Sequence, residues 1–233
     1  MVTVRGPQRT HSPMAKIKSV VFDLDGTLLD SLGDIADAAN EVLQLRGFRP
    51  HDHEAYRYFV GDGVAALFER ALPDGRAEEA RVNQCIADFK TVYSHRMNRH
   101  SCPYDGIPQL LAELVEDGIE LAVLSNKPHE ATLRCVDHFF GGLPFHMVLG
   151  QRDGIPRKPD PAGANEIKIS LDLPGEACCF LGDTAIDMQT AVAAEMIPIG
   201  VSWGFRPREE LIEHGAVRVI DRPGELLTLV ELG

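Results

Sequence analysis

From Pro103 onward the chain alternates between short apolar runs rich in Val, Ile and Leu and segments of helical periodicity. The runs at 119–124, 146–149, 177–181, 198–201 and 217–220 read as strands. Helices are predicted over 108–117, 130–139, 161–169, 186–194 and 208–214, with a last one from Gly224. Few folds accept this alternation. Each helix must serve as the crossover between two parallel strands, which gives an α/β fold with a Rossmann-like, doubly wound parallel sheet.

The N-terminal part breaks the rhythm. One strand at 18–22 is followed, from Ser31, by helical patterning alone. Ser31 is placed to cap a helix, Asp34 lies three residues on, and Ile35, Ala38, Val42 and Leu45 share one face before Gly47. Further helices are predicted over 64–72 and 77–97, the second carrying a stripe of Val82, Ile86, Phe89 and Tyr93. No convincing strand occurs between 31 and 101. The expected organisation is therefore an α/β core of 16–30 and 102–233, interrupted after its first strand by an inserted α-helical cap at 31–101. Residues 1–15 are expected to be a flexible extension, because they carry no apolar segment of signal-peptide type.

Charge and cysteine usage narrow the function. A net charge of −12 over 233 residues argues against a nucleic-acid partner, which would need a basic face. It does not exclude an anionic substrate, since a bound cation reverses the local field. No apolar run is long enough to span a bilayer, so no membrane partner is expected. Cys85, Cys102, Cys135, Cys178 and Cys179 form no CxxC pair, which fits free thiols in a reducing cytoplasm. A homodimer is compatible with the chain.

In doubly wound sheets ligands bind beyond the carboxyl ends of the strands, and here those ends are rich in chemistry. The first strand runs VVF and then Asp23-Leu24-Asp25-Gly26-Thr27. The next ends in Ser125-Asn126-Lys127, a later loop carries Arg157-Lys158-Pro159-Asp160, and another gives Gly182-Asp183-Thr184-Ala185-Ile186-Asp187. By the strand period of two, Asp23 and Asp25 should leave the backbone on one side. Two acids that close need a counter-charge. Oxygen ligands with one or two carboxylates suit Mg²⁺, with Asp23 and Asp183 as those carboxylates. Lys158 adds a positive charge, and Ser125, Thr27 and main-chain N–H groups such as that of Gly26 can hold phosphate oxygens. The matching reaction class is phosphoryl transfer on a small phosphorylated metabolite.

FDLDGTLLD, LSNKP, RKPDP and LGDTAIDMQTA, in this order, resemble the four signature motifs of the haloacid dehalogenase (HAD) superfamily. The resemblance runs from about Ile17 to the C-terminus and is nearest to the phosphoglycolate phosphatase-like branch, which the segment VGDGVAALFERAL also resembles. It implies that Asp23 is the nucleophile forming an aspartyl-phosphate. It implies that Asp25 is the general acid and base, with its main-chain carbonyl on the metal. Ser125 then binds phosphate, Lys158 screens nucleophile and phosphate, Asp183 ligates Mg²⁺, and Asp187 does so directly or through water. Asn126 and Lys127 act either on phosphate or in shaping their loop. Trp203 is expected to pack. The implied activity is an Mg²⁺-dependent phosphatase for 2-phosphoglycolate or another small monoester. A phosphosugar mutase, a pyrophosphatase and a non-catalytic phosphate-binding protein are the alternatives. A substrate carboxylate would ask for a cap cation, and Arg57, Arg70 and Arg96 are available.

Overall fold

Strand β1 (Ser19–Phe22) lies inside a six-stranded, wholly parallel sheet. The computed structural model describes residues 16–73 and 75–231; the expected extension at 1–15 falls outside them. After β1 come β2 (Leu29–Asp30), the helices α1 (Leu32–Leu45), α2 (His53–Phe59), α3 (Gly63–Ala71) and α4 (Glu79–Arg96), and β3 (Cys102–Pro103). The rest is α5 (Ile107–Glu116), β4 (Glu120–Pro128), α6 (His129–Phe140), β5 (Phe145–Gln151), α7 (Ala162–Leu171), β6 (Cys178–Gly182), α8 (Ala185–Ala193), β7 (Ile197–Val201), α9 (Arg208–Glu213), β8 (Arg218–Ile220) and α10 (Glu225–Glu231). The strand order β5-β4-β1-β6-β7-β8 puts β1 between β4 and β6, whose ends carry two of the other three motifs, while the third follows β5.

The sheet is buried on both faces because its strands are apolar at consecutive positions. Val20, Phe22, Leu121, Val123, Cys179 and Leu181 join the layer containing Leu110, Leu111 and Leu114 of α5. Their neighbours Val21, Ala122, Leu124, Cys178 and Phe180 join the opposite layer, with Ala164 and Ile167 of α7 and Ala191 of α8. The adjacent thiols of Cys178 and Cys179 thus serve as small core residues, one per face.

Helices α1 to α4 pack on one another beside the sheet's carboxyl edge. Their joints to the core are short. β2 and β3 pair antiparallel, Leu29 with Pro103 and Asp30 with Cys102, so the chain enters and leaves the helical insert at one place. The buried Asp34 carboxylate closes that place. It accepts from the main-chain N–H groups of Arg99, His100 and Ser101, each at 3.0 Å, and from the Ser101 hydroxyl at 2.6 Å.

Several sequence expectations are corrected here. Ser31 does not cap α1; its hydroxyl donates to Asp25 instead. Asp34, expected as its capping partner, serves the return strand 65 residues or more downstream in sequence. Leu45, placed on the buried face, is 67% exposed, because α1 ends there and the apolar stripe stops at Val42 and Leu43. Helix α2 and the pair β2/β3 were not foreseen. Residues 125–127, expected in a loop, continue β4.

Replacing Asp34 by Ala strands three amide donors and a hydroxyl without altering any apolar contact. The expected loss is about 2–4 kcal/mol in urea denaturation, from buried donors left without an acceptor. A loss under about 0.5 kcal/mol would mean that water takes over the role.

Candidate active site

The carboxyl ends of β1, β4 and β6 and the loop after β5 converge on one buried polar cluster. Strand β1 ends at Phe22, so the period of two stops before it can govern Asp23 and Asp25. The chain turns at Gly26, whose φ of +94° suits glycine and whose missing Cβ leaves room for the Asp183 carboxylate. The two aspartates line one cavity but take different lysine partners. Asp23 Oδ1 accepts from Lys158 Nζ at 2.8 Å. Asp25 accepts from Lys127 Nζ at 2.8 and 3.0 Å and from the Ser31 hydroxyl at 2.6 Å.

Lys158 is buried and also donates to Asp187 Oδ1 at 2.6 Å. Asp187 Oδ2 accepts from the Thr184 N–H and hydroxyl, closing a capping box at the start of α8. Asp183 is fully buried and accepts from the Thr27 hydroxyl at 3.1 Å and the Phe205 N–H at 2.8 Å. One carboxylate oxygen from each of Asp23, Asp183 and Asp187 lies within 4.8 Å of the others. Three carboxylates against the single ammonium of Lys158 leave two negative charges, which one divalent cation would balance.

The electrostatics register this deficit. Burial, opposed by Lys158 but reinforced by Asp187 and Asp25, pushes the Asp23 carboxyl up to about 7. Burial, with Asp187 and Asp23, raises Asp183 well above the ordinary carboxylate range, although the Phe205 N–H and Thr27 pull the other way. Burial alone would lower Lys158, but Asp187 and Asp23 outweigh it and keep the ammonium charged. The donor set is all oxygen, buried and short of positive charge. It fits Mg²⁺, held by Asp23, Asp183 and Asp187, with the Asp25 main-chain carbonyl as the expected further ligand.

Not every expected phosphate contact is free to act. The Gly26 N–H donates to Leu29 O, and the Thr27 N–H donates to Leu24 O while its hydroxyl is bound to Asp183. Gly26 therefore builds the turn and leaves room for Asp183, and the Thr27 hydroxyl holds that carboxylate, so both support the acidic cluster. Asn126 is also engaged: its Oδ1 accepts from the Lys158 N–H, and its Nδ2 donates to Lys158 O and Gly61 O. It positions Lys158 and ties the helical insert to the core. The Ser125 hydroxyl donates to no acceptor among the described residues and faces the cavity shared with Asp23 and Asp25. Trp203 packs near Tyr104 and donates to Thr27 O, as a packing residue should.

Sequence reasoning undervalued Lys127 and overlooked Tyr93 as a polar group. Lys127 Nζ bridges Asp25 to the Tyr93 hydroxyl, 2.7 Å away on α4. The stripe signal marked Tyr93 only as core. Of the three candidate cap cations, Arg57 donates to Gly204 O, Arg70 pairs with Asp62 and Arg96 with Glu41. None lines the cavity.

Comparison with known proteins agrees with this geometry. Residues 20–201 match the family described as haloacid dehalogenase-like hydrolases. The chain is 32% identical to a phosphoglycolate phosphatase of Pseudomonas fluorescens over 209 residues, 87% of this chain and 75% of that protein. It is 33% identical to a phosphoglycolate phosphatase of Rhodospirillum rubrum over 210 residues, 88% of this chain and 87% of that one. A crystal structure from Lactobacillus delbrueckii subsp. bulgaricus, of a protein provisionally described as a phosphoglycolate phosphatase, superposes with a TM-score of 0.86 at 32% identity, over 93% of this chain and 99% of that one. No helix among the described residues is long and apolar enough to cross a membrane.

The raised Asp23 fixes a sign. Its ordinary value is 3.8 and its folded value about 7, so without a cation the folded protein holds a proton that the unfolded chain has released. Stability from this group falls as pH rises between the two values. A divalent cation replaces that proton. The rise in Tm on adding millimolar Mg²⁺ to chelator-treated protein should therefore be larger above about pH 7 than near pH 5. A gain that is largest at the acid end contradicts the site.

Proposed function

Because the chain belongs to the haloacid dehalogenase-like hydrolases and is a phosphoric monoester hydrolase, we propose that it is an Mg²⁺-dependent phosphatase for a small monoester, 2-phosphoglycolate foremost, acting through an aspartyl-phosphate on Asp23. One observation carries the reading. Asp23 Oδ1 is fixed by Lys158, while Oδ2 accepts no hydrogen bond from the described residues, and Asp23 lines one cavity together with Ser125 and Asp25. The names of the curated relatives support the substrate.

The residues divide the work. Asp23 Oδ2 attacks phosphorus in line while the bond to the ester oxygen breaks. Lys158 holds the nucleophile's other oxygen and puts positive charge beside the transferring group. The Ser125 hydroxyl binds a phosphoryl oxygen. Asp25, held by Lys127 and Ser31, enters this step as the carboxylic acid that the preceding turnover leaves behind, and gives that proton to the departing alkoxide. As a carboxylate it then takes a proton from the water that attacks the aspartyl-phosphate, freeing inorganic phosphate and Asp23. Mg²⁺, when bound by the carboxylates described above, supplies charge neutralisation for the phosphoryl oxygens. Thr184, Thr27 and the Phe205 N–H keep those carboxylates in place, and the helical insert covers the cavity against water.

Two outcomes check the roles. Phosphatase activity on p-nitrophenyl phosphate and 2-phosphoglycolate should vanish in EDTA, return with Mg²⁺, and be absent in a well-folded Asp23→Asn protein. More than trace turnover in that variant removes Asp23 as nucleophile. Asp25→Asn should slow an alkyl phosphate by about 10²- to 10⁴-fold. Its first step should suffer less with p-nitrophenyl phosphate, whose leaving group needs no proton. Equal slowing of that step for both esters removes Asp25 from the acid role.

A further inference from the structure

The cavity beside Asp25 is where the leaving group of a bound ester would lie. Its wall from the helical insert is apolar, built by Ile35, Val60, Val64, Leu67 and Phe89. Two polar groups interrupt it. Lys127 is the single cationic side chain among the lining residues, and Tyr93 is the single hydroxyl contributed by the helical insert. Both are more than nine-tenths buried, with 7% and 5% exposure.

Their hydrogen bonds leave a donor over. Lys127 Nζ donates to Asp25 and to the Tyr93 oxygen. The Tyr93 hydroxyl therefore accepts, and its own proton finds no acceptor among the described residues. Burial holds this phenol well above its ordinary value, so it remains a donor. A buried ammonium beside an unused O–H donor, in an otherwise apolar wall, is complementary to a compact anionic oxygen group. Arg157 is exposed, with its guanidinium near Gly63, and does not line this cavity.

We infer that Lys127 and Tyr93 together form the receptor for a carboxylate on the leaving group, so that the substrate class is a phosphoester of a small hydroxy acid. The inference rests on the proposed phosphatase reading. It differs from it in locating the selectivity on a core lysine and one cap tyrosine instead of on a cap arginine. Lys127 also touches the general acid, so its loss slows every substrate; selectivity is therefore read as a ratio.

The test compares kcat/KM for 2-phosphoglycolate and for ethyl phosphate, which has the same carbon count and no carboxylate, in the full chain with Mg²⁺. The wild-type protein should favour 2-phosphoglycolate. Lys127→Met should lower that ratio by about 10- to 100-fold, the effect of losing a hydrogen-bonded charge. Tyr93→Phe should lower it by about 3- to 10-fold. Lys127→Arg, which keeps a cation, should retain part of the preference, and it carries the test with Tyr93→Phe if the Met variant does not fold. A ratio unchanged in the Lys127 and Tyr93 variants overturns the inference, as does a ratio that collapses in Arg157→Ala instead. In either case, continued hydrolysis of 2-phosphoglycolate leaves the substrate reading standing. Ethyl phosphate hydrolysed with no turnover of 2-phosphoglycolate defeats both.

Discussion

Two buried lysines decide where the aspartates of Asp23-Leu24-Asp25 can be. Adjacent carboxylates on one strand end would repel each other strongly once removed from water. Lys158, delivered after β5, takes Asp23, and Lys127, delivered by β4, takes Asp25. The Lys158–Asp23 pair is buried and the Lys127–Asp25 pair partly so, and such a pair recovers its desolvation cost only when its geometry is good and its other hydrogen bonds are met. Both conditions are satisfied here. Asn126 holds the main chain of Lys158 from both sides, and Tyr93 and Ser31 complete the surroundings of Lys127 and Asp25. The two acids become chemically distinct because their partners differ.

That separation gives the site its asymmetry. On the Asp23 side lie Asp183 and Asp187, with more negative charge than Lys158 can offset, and this is where a cation fits. On the Asp25 side Lys127 supplies a cation that Asp25 in its acid form does not cancel, and the rest of the wall is apolar, which suits a leaving group bearing one carboxylate. The phosphoryl group of the proposed substrate would span the two. Parallel-sheet topology makes the arrangement affordable in covalent terms: β4, β1 and β6 are neighbours, so residues distant in sequence meet at one edge.

The core was legible in the sequence for physical reasons. Its strands carry consecutive apolar residues because both faces are covered, and runs such as VVF and CCFLG stand out against the helices that join them. The acids and Lys158 were legible because their types and spacing at strand ends have little structural use. What stayed hidden depends on distant contacts. The seven residues of α2 hold Tyr56, Tyr58 and Phe59 without a clean apolar stripe. β2 and β3 are two residues each, too short for any periodicity. Ser31 looked like a cap because nothing local reveals that Asp25 is within reach of its hydroxyl. Thr27 looked like a phosphate donor because only the fold brings Asp183 to its hydroxyl, whereas the Gly26 amide is taken by a local turn to Leu29 that has no periodicity to announce it. Lys127 stayed open between a phosphate contact and a loop-shaping role, since only the approach of α4 shows that its ammonium is buried against Tyr93.

The central claim is that Asp23 is distinguished from Asp25 as the atom donor to phosphorus. It is tested most directly by acid-quenching the Asp25→Asn protein within milliseconds of mixing with Mg²⁺ and p-nitrophenyl phosphate, then mapping covalent phosphate by peptide mass spectrometry. The account predicts one added phosphoryl group, on the peptide bearing Asp23, which disappears in an Asp23→Asn, Asp25→Asn double variant. A phosphoryl group on another residue, or turnover with no protein-bound phosphate at any time, would contradict it.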